Sequence, residues 1–265
     1  MVDRSKLYSY LDKFSSSSNQ PRVHQHSIDD QVLWVKQFNW RNVTFGRVFH
    51  RGITPLLRKQ YLKAAPIYIS DKALLKECEK AKIFQEAGLL TPEIVLTHRN
   101  FMVTKDAGST LVSELIKMRE ESQFDKHDQL LCEWAAQIGK IHAAGLCHGR
   151  PETRDTIYQD GNWIFFDFEE FPEEVMPLQF AQARDLFLIF HILSRDMHEK
   201  SNLDAAMSAY RQYGPPDAYE ALRSALEDVK FVNSLIFKIP PKIRGRDLRQ
   251  SIGSIEFLAQ HMGII

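Results

Sequence analysis

Apolar positions fall into two regimes along the chain. Short runs suited to strands, interrupted by helical patterns, reach to about Thr104, and spacings of three and four residues dominate from Thr110 onward. In the first regime Val32-Leu33-Trp34-Val35-Lys36-Gln37-Phe38, rich in β-branched and aromatic residues, predicts a strand. Ser70-Asp71 offers an N-cap for a helix from Lys72 to Ala87 that stops at Gly88. Its apolar stripe is Leu74, Leu75, Cys78, Ala81 and Phe84, with Glu77 at the margin, and Glu79, Lys80 and Lys82 are expected to face water. Leu89-Leu90-Thr91-Pro92 then turns into a hairpin of Glu93–Leu96 and Phe101–Thr104, and Lys105-Asp106-Ala107-Gly108 reads as a hinge.

In the second regime Asp128 to Ala144 is amphipathic through Leu130, Leu131, Trp134, Ala135, Ile138 and Ile141, and ends at Gly145. A helix opening at Phe180 and running to about Ser194 is apolar nearly all round, which predicts a central, buried helix. Arg184 and Asp185 within it need partners. Between these helices an apolar strand, Trp163 to Phe166, follows the turn Gln159-Asp160-Gly161. The division expected is 1–28 as N-terminal helix (Leu7, Leu11, Phe14) and mobile linker, 29–106 as a small lobe with a helical insert, and 107–265 as a helical lobe.

With 265 residues the chain is long enough for a large core, and 34 Lys plus Arg balance 34 Asp plus Glu, so charge gives no reason to expect a nucleic-acid partner. Three cysteines without metal-ligand spacing read as reduced thiols of a cytoplasmic protein. No signal peptide or transmembrane stretch is read. Two segments, 41–63 and 238–249, interleave or cluster Arg and Lys; 41–63 either packs on the domain or, like 238–249, meets an anionic glycolipid or membrane surface. Peripheral attachment at the inner membrane follows from the second alternative.

The chemistry centres on His148-Gly149-Arg150-Pro151-Glu152-Thr153-Arg154-Asp155 and Phe166-Asp167-Phe168-Glu169. Asp155 in a loop and Asp167 at a strand end can converge on one Mg²⁺, which prefers oxygen ligands shared with substrate phosphates. A turn between apolar runs followed by Asp is also an ordinary structural hairpin. Lys36, likewise, is either a solvated strand lysine or a lysine projecting into a cleft. No glycine precedes the first strand, so no glycine-rich phosphate loop is present there.

Taken in order, Trp34-Val35-Lys36, Ala87-Gly88-Leu89-Leu90-Thr91-Pro92, His142-Ala143-Ala144-Gly145-Leu146-Cys147-His148-Gly149 and Phe166-Asp167-Phe168-Glu169-Glu170 resemble the protein-kinase-like superfamily over roughly residues 30–200. They are most similar to its bacterial lipopolysaccharide-kinase branch, with the Kdo and core-heptose kinases and InaA-type proteins. The resemblance implies an α+β, two-lobed fold with a small β-rich N-terminal lobe and a mostly helical C-terminal lobe. It implies ATP and Mg²⁺ as cofactors. Lys36 would hold nucleotide phosphates, paired with Glu77; Thr104 and Asp106 would contribute to the nucleotide site near the hinge; Asp167 and Asp155 would hold the metal. Asp185 would support the catalytic loop from below, and His148 would bridge that loop to the metal-binding turn.

Arg150 stands where the family places its base Asp. An arginine stays protonated and cannot take a proton, although phosphoryl transfer is mostly positioning and electrostatics. Glu152 is the nearest substitute carboxylate. The expected function is phosphorylation of a hydroxyl of an envelope glycan such as a lipopolysaccharide core sugar; the alternative is an inactive nucleotide-binding or scaffolding protein in envelope biogenesis.

Overall fold

A computed structural model describes residues 3–15, 21–39, 63–236 and 246–264. The basic stretch 41–63 lies, apart from Lys63, outside the described residues, as does 238–245 of the second basic segment.

The N-terminal lobe is a four-stranded antiparallel sheet in the order β1-β2-β4-β3, formed by β1 (Val23–Ile28), β2 (Gln31–Gln37), β3 (Ile94–His98) and β4 (Phe101–Lys105). Asp29 and Asp30, with φ of 50° and 60°, join β1 to β2 in a two-residue turn whose left-handed pair matches the twist of the strands. The strand period of two sorts β2 onto two faces. Leu33 and Val35 are fully buried against helix α1 (Arg4–Ser15), where Leu7, Leu11 and Phe14 meet them together with Phe101 and Val103. Each fully buried Leu of α1 contributes about 1.5–3 kcal/mol. On the other face Lys36 and Phe38 look toward helix α2 (Ser70–Glu86), with Phe38, Leu74 and Met102 packed together.

Three expectations need correction here. Residues up to 28 are not a helix followed by a linker, because β1 belongs to the sheet. Its inward positions are His24 and His26, opposite Val35 and Leu33, and the rings stack on Phe14 (4.2 Å) and Tyr10 (3.6 Å). Histidines serving as aromatic packing groups leave no apolar alternation to read. In α2, Leu75 is 68% exposed and takes no part in the buried stripe. Lys80, expected in water, is buried, because its ammonium donates to Glu170 O (3.0 Å) and Glu173 (2.8 Å) below the sheet. The Ser70 hydroxyl donates to Asp71 (3.0 Å), and Ala87 with Gly88 (φ 79°) ends the helix.

The C-terminal lobe begins with α3 (Leu111–Glu120) and α4 (Phe124–Ala143), the latter starting a turn earlier than its apolar pattern. A hairpin of β5 (Thr156–Gln159) and β6 (Asn162–Phe165) follows, closed by Asp160-Gly161 with φ of 52° and 78°. Then come α5 (Leu178–Asp196), α6 (Asn202–Arg211), α7 (Pro216–Ile236) and α8 (Arg246–His261). Helix α5 is the expected central one: Leu186, Ile189, Phe190 and Leu193 are fully buried and pack with Leu131, Trp134 and Ile138 of α4 and Leu258 of α8. Among the described residues no helix is long and apolar enough to cross a membrane.

The lobes meet through backbone and side-chain contacts. Phe165 N donates to Leu90 O (2.9 Å), and Lys80 of α2 reaches Glu170 O and Glu173. Between the lobes lies a cleft of about 320 Å³.

Candidate nucleotide and metal site

Lys36 is the centre of the cleft. From β2 its Nζ reaches both carboxylate oxygens of Glu77 on α2, each at 2.8 Å, and Glu169 at 3.2 Å, and it is bonded to Asp167 Oδ1 beyond the end of β6. One cation thus ties the sheet, α2 and the turn after β6 together. Glu77 is buried on the cleft side of α2, one turn from Leu74 and Ala81, so the stripe that packs the helix also aims the carboxylate. Burial raises its pKa, and Lys36 opposes that rise.

Asp167 has φ of 65°, a left-handed conformation that only short polar side chains and glycine adopt with little strain. It swings the carboxylate back toward Lys36. Burial pushes its pKa up, but Lys36, with Arg22 and Arg150, outweighs that and holds it at about 2. Asp155, closing the 3₁₀ turn Thr153–Asp155, behaves in the opposite way. It lines the same cleft, and burial together with the charges of Asp167 and Glu152 raises its pKa to about 7. Its Oδ2 is buried with no hydrogen-bond partner.

The loop leading to Asp155 is supported from below. Asp185 of α5 accepts from the amides of His148 (2.6 Å) and Gly149 (3.0 Å), with His142 at 3.5 Å on its other side. The His148 ring bonds Phe166 O at 3.1 Å, joining the loop to the Asp167 turn, and burial lowers its pKa to about 4, so the ring is neutral. Arg184, next to Asp185, pairs with Glu170. A methyl group at Gly149 (φ 98°) would lie 2.3 Å from Glu170 O, so only glycine lets these two segments touch.

Of the site residues read from sequence, Lys36, Glu77, Thr104, Asp155 and Asp167 line the cleft together. Two carboxylates are placed elsewhere. Asp106 is exposed and accepts the Trp34 indole N–H at 2.7 Å, so at the hinge Lys105, Ala107 and Gly108 face the cleft in its stead. Glu152 is not among the residues lining the cleft and pairs with Arg154 at 2.8 and 2.9 Å. Arg150 lies at 3.7 Å from Asp167 and from Glu152, and 3.8 Å from Glu170.

The metal reading shifts as well. Among the described residues, the carboxylates whose oxygens lie within 4.8 Å of one another are Glu77, Asp167 and Glu169; Asp155 is outside that group and lines the cleft. Sequence reasoning placed Glu169 in the segment around Asp167 and gave it no role. It also missed Arg22, which lines the cleft and pairs with Glu169. No pattern marked Arg22, since it lies in a polar stretch just before a strand without apolar alternation. The donor set fits Mg²⁺: hard oxygens, crowded like charge, and one buried carboxylate oxygen without a partner.

No protein-family model matches the chain. Among curated proteins it is similar to KEOPS complex subunit Bud32 of Pyrococcus abyssi (strain GE5 / Orsay), with 23% identity over 210 residues, covering 77% of this chain and 81% of that protein. Among solved structures it overlays on WaaP in complex with acyl carrier protein (TM-score 0.45, 14% identity, 86% of this chain and 88% of that one). It also overlays on the streptomycin-ATP-APH(2")-IIa ternary complex (TM-score 0.36, 14% identity, 98% and 97%). With a small antiparallel sheet and α2 above, a helical lobe below, and Lys36, Glu77 and Asp167 joined between them, the chain has a two-lobed, protein-kinase-like α+β fold.

Proposed function

We propose that this chain is an ATP- and Mg²⁺-dependent phosphotransferase whose acceptor is a sugar hydroxyl, of the lipopolysaccharide core or a related envelope glycan, and that it works in the cytoplasm. The observation that carries the transfer chemistry is the Lys36 link to both Glu77 and Asp167 across the cleft. The acceptor rests on the sequence strings around Lys36, Gly88, His148 and Asp167 that resemble the lipopolysaccharide kinases.

The apolar part of the cleft, with Val23, Ala81, Ile94, Met102, Ile157 and Phe168, suits an adenine ring beside the Lys105–Gly108 hinge. Lys36, oriented by Glu77, presents a fixed positive charge to the phosphates, which is the role of the strand lysine in this fold. Asp167, Glu169 and Asp155 would hold Mg²⁺. When bound, that ion neutralises charge developing on the transferred phosphoryl group. Arg150, permanently charged and beside Asp167, adds a second cation where the acceptor would enter, and Asp185 keeps the His148–Gly149 backbone from moving as it does so. With purified core oligosaccharide and γ-labelled ATP, the wild type should transfer label and Lys36→Met should not; equal transfer by both would contradict the proposal.

A second reading, a nucleotide-binding protein without transfer activity, is favoured by one observation. Arg150 fills the base position, and Glu152, the nearest alternative, is engaged by Arg154. Under that reading ATP binds and no acceptor is labelled.

A further inference from the structure

We propose that Arg22 is a phosphate-binding residue of the cleft, standing in for the backbone amides that a glycine-rich loop would supply, and that in the absence of nucleotide Glu169 holds it in reserve. The inference rests on the nucleotide-binding reading above.

A phosphate-cradling loop works by turning several backbone N–H groups toward the anion, and glycine is what lets the chain do so. The chain has no glycine before Gly46, so this device is missing ahead of β1 and β2. What lies beside Lys36 is the start of β1. Val23 is the cross-strand partner of Lys36, and Gln37 N donates to Arg22 O at 2.8 Å, so the Arg22 backbone is fixed one residue from that pair. Arg22 sits at the bend before the strand and is therefore not bound to the strand's alternation. Its side chain turns into the cleft and its guanidinium pairs with Glu169. The Nε is buried without a hydrogen-bond partner. A guanidinium with an unused donor beside a lysine is a fork suited to phosphate oxygens.

Glu169 balances this charge from within the protein. Lys36 and Arg22 both lie on its carboxylate, while Lys36 also serves Glu77 and Asp167. The two cations thus offset most, not all, of the charge of the three carboxylates. A nucleotide arriving with a divalent cation offers the reverse exchange: the cation takes the carboxylates, and the phosphates take Arg22 and Lys36. No covalent bond changes.

The test is calorimetric titration of the full chain with Mg²⁺ and ATP, ADP, AMP or adenosine, using wild type, Arg22→Gln, Arg22→Lys and Arg154→Gln. Arg154 also lines the cleft but is exposed and paired with Glu152, so it controls for loss of one positive charge. Arg22→Gln should weaken ATP and ADP by about tenfold or more, as expected for one charge-assisted hydrogen-bonded contact, and leave adenosine unchanged. Arg22→Lys should recover part of the loss, and Arg154→Gln should change ATP binding far less. Unchanged ATP affinity in Arg22→Gln, equal loss for ATP and adenosine, or equal loss in Arg154→Gln would each overturn the assignment while the nucleotide reading stood. Absence of ATP binding by the wild type would overturn the nucleotide reading itself, and this one with it.

Discussion

Asp155 and Asp167 have the same side chain and opposite charge behaviour, because Lys36 touches one of them and not the other. In the folded chain Asp155 keeps its proton to about pH 7, against an ordinary 3.8. Between those values the folded state binds the extra proton, so this residue's contribution to stability is full below about pH 4 and falls as pH rises to about 7. His148, lowered to about 4, acts in the opposite direction over much of that window, so the readout is a difference between proteins. Relative to wild type, Asp155→Asn should gain thermal stability between about pH 5 and pH 8, by an amount on the order of a few kcal/mol. Parallel melting-temperature curves would show that Asp155 is not held protonated. Arg150→Ala should lower transfer about tenfold or more while ATP still binds, since it removes a charge that acts on the transition state; unchanged transfer would contradict that role, and a rise in Arg150→Asp would mark position 150 as a disabled base site. Lys36, Glu77, Asp155 and Asp167 are legible in sequence through the order of strings that resembles the protein-kinase-like superfamily; period and spacing alone leave Lys36 and the Asp155–Asp167 turn open. Arg22 and Glu169 are not, because their partnership joins residues far apart in sequence and neither lies in a periodic pattern.

At the scale of elements, α2 is bound to the segment after Asp167 by more than the Lys36–Glu77 pair. Lys80 reaches Glu170 O and Glu173, Lys76 reaches Glu174 at 3.0 Å, and Tyr68, ahead of the helix, bonds the same glutamate. Lys80→Ala should therefore destabilise the protein by about 1–3 kcal/mol, since Lys80 is buried while Glu173 keeps part of its solvation, with Lys80→Met/Glu173→Gln recovering much of it. A change under 1 kcal/mol by chemical denaturation would mean that Lys80 is solvated. Gly149→Ala should cost about 1–3 kcal/mol from its left-handed φ alone, and its contact with Glu170 O adds to that; an unchanged denaturation midpoint would contradict the close approach. The reading of α2 from sequence located the helix to within two residues and erred on its faces. Hydrophobicity counted Leu75 in and Lys80 out, whereas the turn after Asp167 supplies a polar partner that makes the lysine the buried residue. Strand β1 escaped for a related reason, its core positions being histidines under Tyr10 and Phe14.

At the scale of the molecule, the two regimes of apolar spacing became two lobes, with the change of period close to Gly108. What could not be read from period alone was how the lobes face each other. That is set by contacts such as Lys36 with Asp167 and Phe165 with Leu90, which join residues distant in sequence. The proposed chemistry needs nucleotide and metal in the cleft between the lobes, so binding is the property on which it depends. The most direct measurement is calorimetric titration of ATP, with and without Mg²⁺, into the wild type and Asp167→Asn, which keeps shape and removes the charge. The account predicts Mg²⁺-dependent binding by the wild type that is lost in the variant. No binding by the wild type under either condition, or Mg²⁺-dependent binding that is the same in both proteins, would contradict it.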